Sequence, residues 1–317
     1  MQTFQFTENN WSSWRYNEGD LHSRSPSDDA VFEVVYKQQQ VKIGTLWQEA
    51  VKGAKSTIDA HPGKKPSLFF SGGVDSEVML RAFIHIGSNP DVYIVRYNND
   101  INLYDVSYAV SICNSLGVDF KIIDINLFKF FENDAEQISE LAQCDRPRML
   151  PQLSFADYVD GLPILCMADI TWQRSDSDYT KKGIWKAWEI ESDCACDRYN
   201  IAVGREAIYQ WGRWSPGILL AHTRWEWFHK LINDKYYGKL GNSSTKFEGF
   251  SSEFPDMIPR KKKVGFEKCE DVISEFESFL KKKYNGLPFR RQSEYTLDEM
   301  WFKITGKNYA ANNVLAL

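Results

Sequence analysis

One decapeptide limits what this chain can fold into: Ser67-Leu68-Phe69-Phe70-Ser71-Gly72-Gly73-Val74-Asp75-Ser76. Leu68 to Phe70 is a short apolar run of the kind that forms a fully buried strand. Ser71, Gly72, Gly73, Asp75 and Ser76 follow at once, and Val78, Met79, Leu80, Phe83 and Ile84 then recur at helical spacing. The order strand, glycine turn, helix aims backbone N–H groups, a helix N-terminus and two hydroxyls at one spot, which suits a phosphate-sized anion. Two glycines let the backbone approach that anion with no side chain in the way. The turn is not the GxxxxGK[ST] nucleotide loop, because it lacks the Lys that serves the β- and γ-phosphates.

Three more apolar runs predict buried strands: Val92 to Tyr97, Phe120 to Ile125 and Leu162 to Met167. In the last, Pro163 must sit at the start or on an edge. Leu46, Ala50, Val51, Ala54 and Ile58 predict a packed helix over 44–60, ended by His61-Pro62-Gly63. Val106, Ala109, Val110, Ile112, Cys113 and Leu116 predict another, stopped by Gly117. Strands alternating with helices imply an α/β fold with a parallel sheet and right-handed crossovers. Ligands of such sheets sit beyond the carboxyl ends of the strands, at the switch point. The turn at 71–76, the Tyr97-Asn98-Asn99-Asp100 end and the Cys166 to Asp169 end are therefore expected to meet.

On either side the pattern changes. The first thirty residues read as irregular, with turn formers at Asn9, Asn10, Ser12, Ser13, Gly19 and Asp20 and again at Ser23 to Ser27. Val31 to Tyr36 then predicts a strand, so 1–43 is an N-terminal arm or small sheet. Residues 204–236 read as helical and aromatic, broken at Ser215-Pro216-Gly217, and Val272, Ile273, Phe276, Phe279 and Leu280 mark a further amphipathic helix. Residues 44–184 thus form the nucleotide-binding α/β domain, and 185–317 a helical subdomain that completes a substrate pocket. For most of the aromatic rings there, core packing is the favoured role.

Composition narrows the classes of function. The 317 residues, 43% hydrophobic, suffice for a large core, and 38 basic against 43 acidic residues give a charge of −5. That balance argues against general nucleic-acid or membrane affinity. No apolar run is long enough to span a bilayer, and Met1 to Glu8 lacks the basic and apolar regions of a signal peptide. Six scattered cysteines do not make a disulfide framework, so the cytoplasm is the expected compartment. Cys194-Ala195-Cys196 has no second pair to complete a zinc site, and the five histidines show no metal spacing.

The hexapeptide Ser71-Gly72-Gly73-Val74-Asp75-Ser76 resembles the SGGxDS pyrophosphate loop (PP-loop) of the N-type ATP pyrophosphatases, a superfamily that includes the synthetase domain of asparagine synthetase. Glu49-Ala50-Val51 on the preceding helix also resembles the asparagine synthetase pattern. The resemblance covers about residues 44–285 and implies an adenine-nucleotide alpha-hydrolase-like domain that takes ATP and Mg²⁺. A nucleophile, usually a carboxylate oxygen, attacks the α-phosphorus, and catalysis is mostly positioning and neutralisation of the leaving pyrophosphate. Ser71 and Ser76, with the N–H groups of Gly72, Gly73 and Val74, are suited to hold that pyrophosphate. Asp75 cannot itself hold an anion; its expected work is a Mg²⁺ bridging phosphate oxygens, the alternative being a helix N-terminal carboxylate favoured by the dipole. Ala168-Asp169 stands where the family has GxxADE, with Cys166-Met167 in place of glycines and Ile170 in place of Glu, which nominates Asp169 as a second metal ligand.

Ile258-Pro259-Arg260-Lys261-Lys262-Lys263-Val264-Gly265-Phe266 resembles the asparagine synthetase segment that carries a phosphate-contacting Lys ahead of Gly-Phe. On that match Lys263 contacts phosphate in the transition state and Lys261 is the other basic position; the alternative is a solvated or RNA-binding run. Arg96 and Tyr97, with main-chain contacts from Phe70, are the expected adenine side. No cysteine follows Met1, so the glutaminase half of asparagine synthetase is not expected, and ammonia or another amine comes from elsewhere. The implied activity is AMP-forming ligation of a small carboxylate (or carbonyl oxygen) to an amine. Two alternatives stand beside it: a nucleobase- or tRNA-modifying enzyme using Lys261–Lys263, Lys281–Lys283 and Arg290-Arg291 on RNA, and a nucleotide-binding regulator without turnover. Oligomeric state is not legible.

Overall fold

The computed structural model describes residues 9–17, 19, 29–167, 171–174, 185–224, 239–240, 249–258, 265–286 and 289–309. Its centre is a four-stranded sheet of β3 (Pro66–Phe69), β4 (Asp91–Tyr97), β5 (Phe120–Ile125) and β6 (Leu162–Leu165), in the order β5-β4-β3-β6. All its pairings are parallel, with Leu68 opposite Val92 on one side and Ile164 on the other. The chain lays down β3, steps outward to β4 and β5, then returns across the sheet to place β6 on the far side of β3. That reversal is the switch point, and β3 with its glycine turn lies at it.

Residues alternate between two cores, as period-2 side chains of a strand buried on both faces must. Leu68, Phe70, Val92, Ile94 and Ile164 face α1 (Leu46–Ala60), α2 (Val74–His85) and α3 (Leu103–Leu116). Phe69, Tyr93, Tyr97, Ile125 and Leu165 face α4 (Leu127–Asn133), α5 (Ala135–Ala142) and α6 (Leu150–Leu153). α1 starts with a capping box, Thr45 receiving the Gln48 N–H while the Gln48 side chain accepts from Thr45 N. Gly117 ends α3 in the left-handed conformation, as its position in the sequence predicts.

The flanking parts differ more from expectation. β2 (Phe32–Tyr36) pairs with a strand in the segment read as irregular, β1 (Ser12–Tyr16). Trp14 and Tyr16 are buried, and that burial overrides the turn preference of Ser12 and Ser13. The 204–236 stretch is not one helical region. α7 (Ala195–Val203) ends at Gly204, and 207–210 instead run alongside β6: Ile208 N donates to Pro163 O at 2.8 Å and Leu165 N to Ile208 O at 2.7 Å. Ser215-Pro216-Gly217 does not break a helix but opens α8 (Pro216–Ala221), with Ser215 accepting the Ile218 N–H. Tyr209 and Trp211 are buried, in keeping with core packing, while Trp225, Trp227 and Phe228 lie outside the described residues.

A second, antiparallel sheet has the order β10-β8-β7-β9, from β7 (Thr171–Arg174), β8 (Trp185–Ile190), β9 (Lys239–Leu240) and β10 (Gln292–Thr296). The C-terminal part thus carries strands as well as the helices α9 (Glu270–Lys283) and α10 (Leu297–Thr305). Nothing local in the sequence pairs strands a hundred residues apart. All six cysteines are thiols; Cys194 and Cys196 are buried, one in each core. Among the described residues no helix is long and apolar enough to cross a membrane.

Candidate phosphate site

The site is built at the carboxyl end of β3. Phe70 continues the strand for one residue, its N–H donating to Tyr93 O at 2.8 Å while its ring is buried under α2. Ser71 is exposed, and Gly72 turns the chain with φ +75. Gly73 (φ −75, ψ 157) is the N-cap of α2, so the helix begins at Val74. The first N–H groups of α2 have no carbonyl one turn back, which leaves a partial positive charge at the turn.

The two hydroxyls meet there. Ser71 Oγ lies 3.1 Å from Ser76 Oγ, Gly73 N donates to Ser71 Oγ at 3.3 Å, and Ser76 Oγ donates to Gly73 O at 2.9 Å. With the Ser76 proton on Gly73 O, the Ser71 hydroxyl supplies the proton between them and can rotate it to an incoming anion. A Cβ built on Gly73 would stand 3.3 Å from Ser71 Oγ and 3.8 Å from Ser76 Oγ. Gly72 answers a different demand: its Cβ would lie 2.6 Å from Asp105 O and 3.0 Å from Ala109 N. The backbone of α3 presses against the turn from behind. The two glycines thus have different neighbours: helix backbone at Gly72, the turn's own hydroxyls at Gly73.

Asp75 is half-buried on the first turn of α2, and Glu77 beside it is buried. At the end of β4, Asn102 Oδ1 accepts from Tyr97 N at 2.8 Å and its Nδ2 donates to Val95 O at 2.9 Å. Asn99 and Asp100 follow in succession at φ +55 and +52. Strained non-glycine backbone of this kind clusters at functional sites, and here it lies at the carboxyl edge, one strand from the glycine turn.

The expected adenine residues are placed as follows. Arg96 points to an exposed face and grips Asp124 with two hydrogen bonds, Nε to Oδ1 at 2.6 Å and Nη2 to Oδ2 at 2.9 Å. Hydrogen bonding to Arg96 holds the Asp124 carboxyl below the usual carboxylate range. Tyr97 is buried against Phe266, ring centroids 5.7 Å apart, and burial pushes its hydroxyl pKa up. What the strand end offers a ligand directly is main chain. Asp169, Lys261 and Lys263 lie outside the described residues. Among the described residues no group of three His, Cys, Asp or Glu side chains could hold a metal ion.

The flanks of the basic run are described. Phe254 and Met257 are buried, and Arg81 of α2 reaches Asp256. Beyond the run, Gly265 (φ +77) packs so closely on Ile101 that a Cβ would stand 1.7 Å from Ile101 O. Lys268 Nζ donates to Asp100 O at 2.8 Å. No local sequence signal marks Arg81, Asn102 or Lys268.

No family model matches the chain, and no curated protein does. Among solved structures the chain is similar to NH3-dependent NAD synthetase from Campylobacter jejuni subsp. jejuni NCTC 11168 in complex with the nitrate ion, at 18% identity and a TM-score of 0.27; the match covers 38% of this chain and 54% of that one. It is also similar to NMN synthetase from Francisella tularensis, at 14% identity and a TM-score of 0.29, over 75% of this chain and 94% of that one.

Proposed function

We propose that this chain is a PP-loop ATP-dependent, AMP-forming ligase that activates a small carboxylate or carbonyl oxygen and passes it to an amine or ammonia. One observation carries the reading. The Ser71–Ser76 turn joins the switch-point strand to the N-terminus of α2, with the two hydroxyls 3.1 Å apart beside the bare Gly73. In this reading Ser71, Ser76 and the N–H groups of Gly72, Gly73 and Val74 hold the β- and γ-phosphates. The acceptor oxygen attacks the α-phosphorus, the bond to the bridging oxygen breaks, and pyrophosphate leaves into the turn. The Gly73 N–H and the Ser76 hydroxyl, bonded within the turn in this structure, would turn to that charge as it develops. Lys263 and Lys261 add positive charge on the phosphate side. The main chain at Phe70, Arg96 and Tyr97 would border the adenine, since the Arg96 side chain is held by Asp124 and the Phe70 and Tyr97 rings are buried. Asp75 and Asp169 are the residues that would hold Mg²⁺, which would supply positive charge to the leaving pyrophosphate.

A small-molecule acceptor is favoured over RNA by what the basic residues do. Lys283 pairs with Glu136 and Glu140, Lys281 with Glu277 and Arg290 with Asp145. These carboxylates cancel much of the positive charge a phosphodiester backbone would need. The proposed setting is the cytoplasm.

The test is product analysis with ATP, Mg²⁺ and a panel of carboxylates and amines, beside Asp75→Ala. AMP and pyrophosphate, lost in the variant, are expected. ADP and phosphate would overturn the α-phosphate chemistry, and nucleotide binding with no turnover across the panel would favour a regulator.

A further inference from the structure

We infer that Asn102 is a positioning residue of the phosphate turn: its carboxamide, bonded to β4 instead of capping α3, fixes the start of α3 against Gly72. The inference rests on the anion-holding role proposed for the turn.

β3 leaves the sheet before β4 does. The two strands pair as far as Phe69 opposite Tyr93, and Phe70 N donates to Tyr93 O at 2.8 Å. At Ser71 the chain departs into the glycine turn. Alternate residues of a strand present their main-chain groups to the same neighbour, so Val95 and Tyr97 present theirs to the side that β3 has left. The buried Asn102 side chain fills that place. Its Oδ1 accepts from Tyr97 N at 2.8 Å and its Nδ2 donates to Val95 O at 2.9 Å, as the next residue of a neighbouring strand would.

Asn102 is also the N-cap of α3. An Asn there ordinarily accepts a helix N–H with its side chain. This one makes no such bond, and only its main-chain O serves the helix, accepting from Val106 N at 3.0 Å. One residue thus belongs to β4 by its side chain and to α3 by its main chain, and it sets where along the strand the helix begins. Just inside the helix, Asp105 O is the atom that a Cβ on Gly72 would meet at 2.6 Å, and Ala109 N would lie 3.0 Å away. Gly72 is therefore lodged against the start of α3. Gly73 follows it directly, its N–H donating to Ser71 Oγ. A shift of α3 would move the backing of the turn that carries both hydroxyls. The connection from β4 is itself held: Asn99 and Asp100 reverse the chain at φ +55 and +52, Gly265 packs on Ile101, and Lys268 Nζ donates to Asp100 O at 2.8 Å.

The experiment measures binding of magnesium pyrophosphate by calorimetry, with melting temperatures and the backbone amide NMR signals of Gly72 and Gly73 in the ligand-free protein. It compares wild type, Asn102→Ala, Asn102→Ser and Ser139→Ala. Both changes at Asn102 remove the tether to β4, but a serine regains the helix cap, so Asn102→Ser should melt above Asn102→Ala and stays testable where the alanine variant fails to fold. Ser139→Ala is the control for lost stability. Ser139 is buried and its Oγ donates to Cys144 O at 2.7 Å, on the face of the sheet opposite α2 and α3. Asn102→Ala and Asn102→Ser should bind about 3- to 10-fold more weakly and to the same extent, with both glycine signals shifted. Ser139→Ala should melt lower and bind as wild type. Wild-type binding in either Asn102 variant, unmoved glycine signals, or affinity that follows melting temperature across the set would overturn the inference and leave the site reading intact. A wild-type protein that binds no magnesium pyrophosphate would overturn that reading, and the inference with it.

Discussion

Substituting the two glycines of the turn by alanine, one at a time, separates what the fold requires from what the ligand requires. Gly72→Ala places a side chain at φ +75, which costs about 1–2 kcal/mol for an L-residue. Its Cβ also meets Asp105 O at 2.6 Å and Ala109 N at 3.0 Å, and both are helix backbone that cannot swing aside. Overpacking of that kind costs about 1–3 kcal/mol. Lower unfolded-state entropy returns about 0.4–1 kcal/mol. The net expectation is a loss of about 1–5 kcal/mol by these terms. At Gly73 the same methyl meets no atom closer than 3.3 Å, and φ −75 suits any residue. Alanine is a poorer N-cap than glycine, by a cost that the same entropy gain offsets, so Gly73→Ala should stay within about 0.5 kcal/mol of wild type. Yet its methyl would stand beside both hydroxyls. Urea unfolding and ATP binding, measured on both variants, should therefore give opposite results: a destabilised Gly72→Ala, and a stable Gly73→Ala that binds ATP at least about tenfold more weakly, the loss expected when a preorganised anion donor is blocked. A Gly73→Ala protein that binds ATP normally would refute the cradle, and a Gly72→Ala protein of wild-type stability would refute the close approach of α3.

Other consequences are open to simple assays. Phe70→Ala should cost about 3–5 kcal/mol in urea unfolding, because the side chain is 1% exposed in the core beneath α2. His61 has its pKa lowered chiefly by burial, with Thr57 O opposing and Lys64 assisting; Glu206 Oε1, 3.2 Å from Nε2, also engages Lys64 and does not outweigh burial. The unfolded chain therefore takes up the proton first, so stability is full above the unperturbed value of 6.5 and falls as pH drops below it. His61→Gln should flatten that part of the stability–pH curve. Arg96→Gln should let the Asp124 pKa rise toward the ordinary carboxylate value, read by NMR titration, with no measurable change in melting temperature because the pair is exposed.

What could be read from the sequence follows from where each residue's energy comes from. β3 to β6 were legible because strands buried on both faces must be continuous apolar runs, whatever packs on them. The glycine turn was legible because a motif of adjacent residues makes its own geometry. β1 was not, since Ser12 and Ser13 signal a turn and only Phe32 and the core beneath explain why Trp14 and Tyr16 are drawn into a strand. Residues 207–210 were read as helix for a related reason. Their fate is set by the vacant edge of β6, and the buried Tyr209 hydroxyl donates to Leu153 O, more than fifty residues away. The same distinction divides the site. Ser71, Gly73 and Ser76 make their hydrogen bonds among themselves, so a hexapeptide can announce the turn. Gly72 depends on α3, and Arg81 on a carboxylate 175 positions along the chain. A local motif can thus specify its own turn, while the contacts that seat it, such as the Asp105 carbonyl against Gly72, come from segments that carry no mark until the fold assembles them.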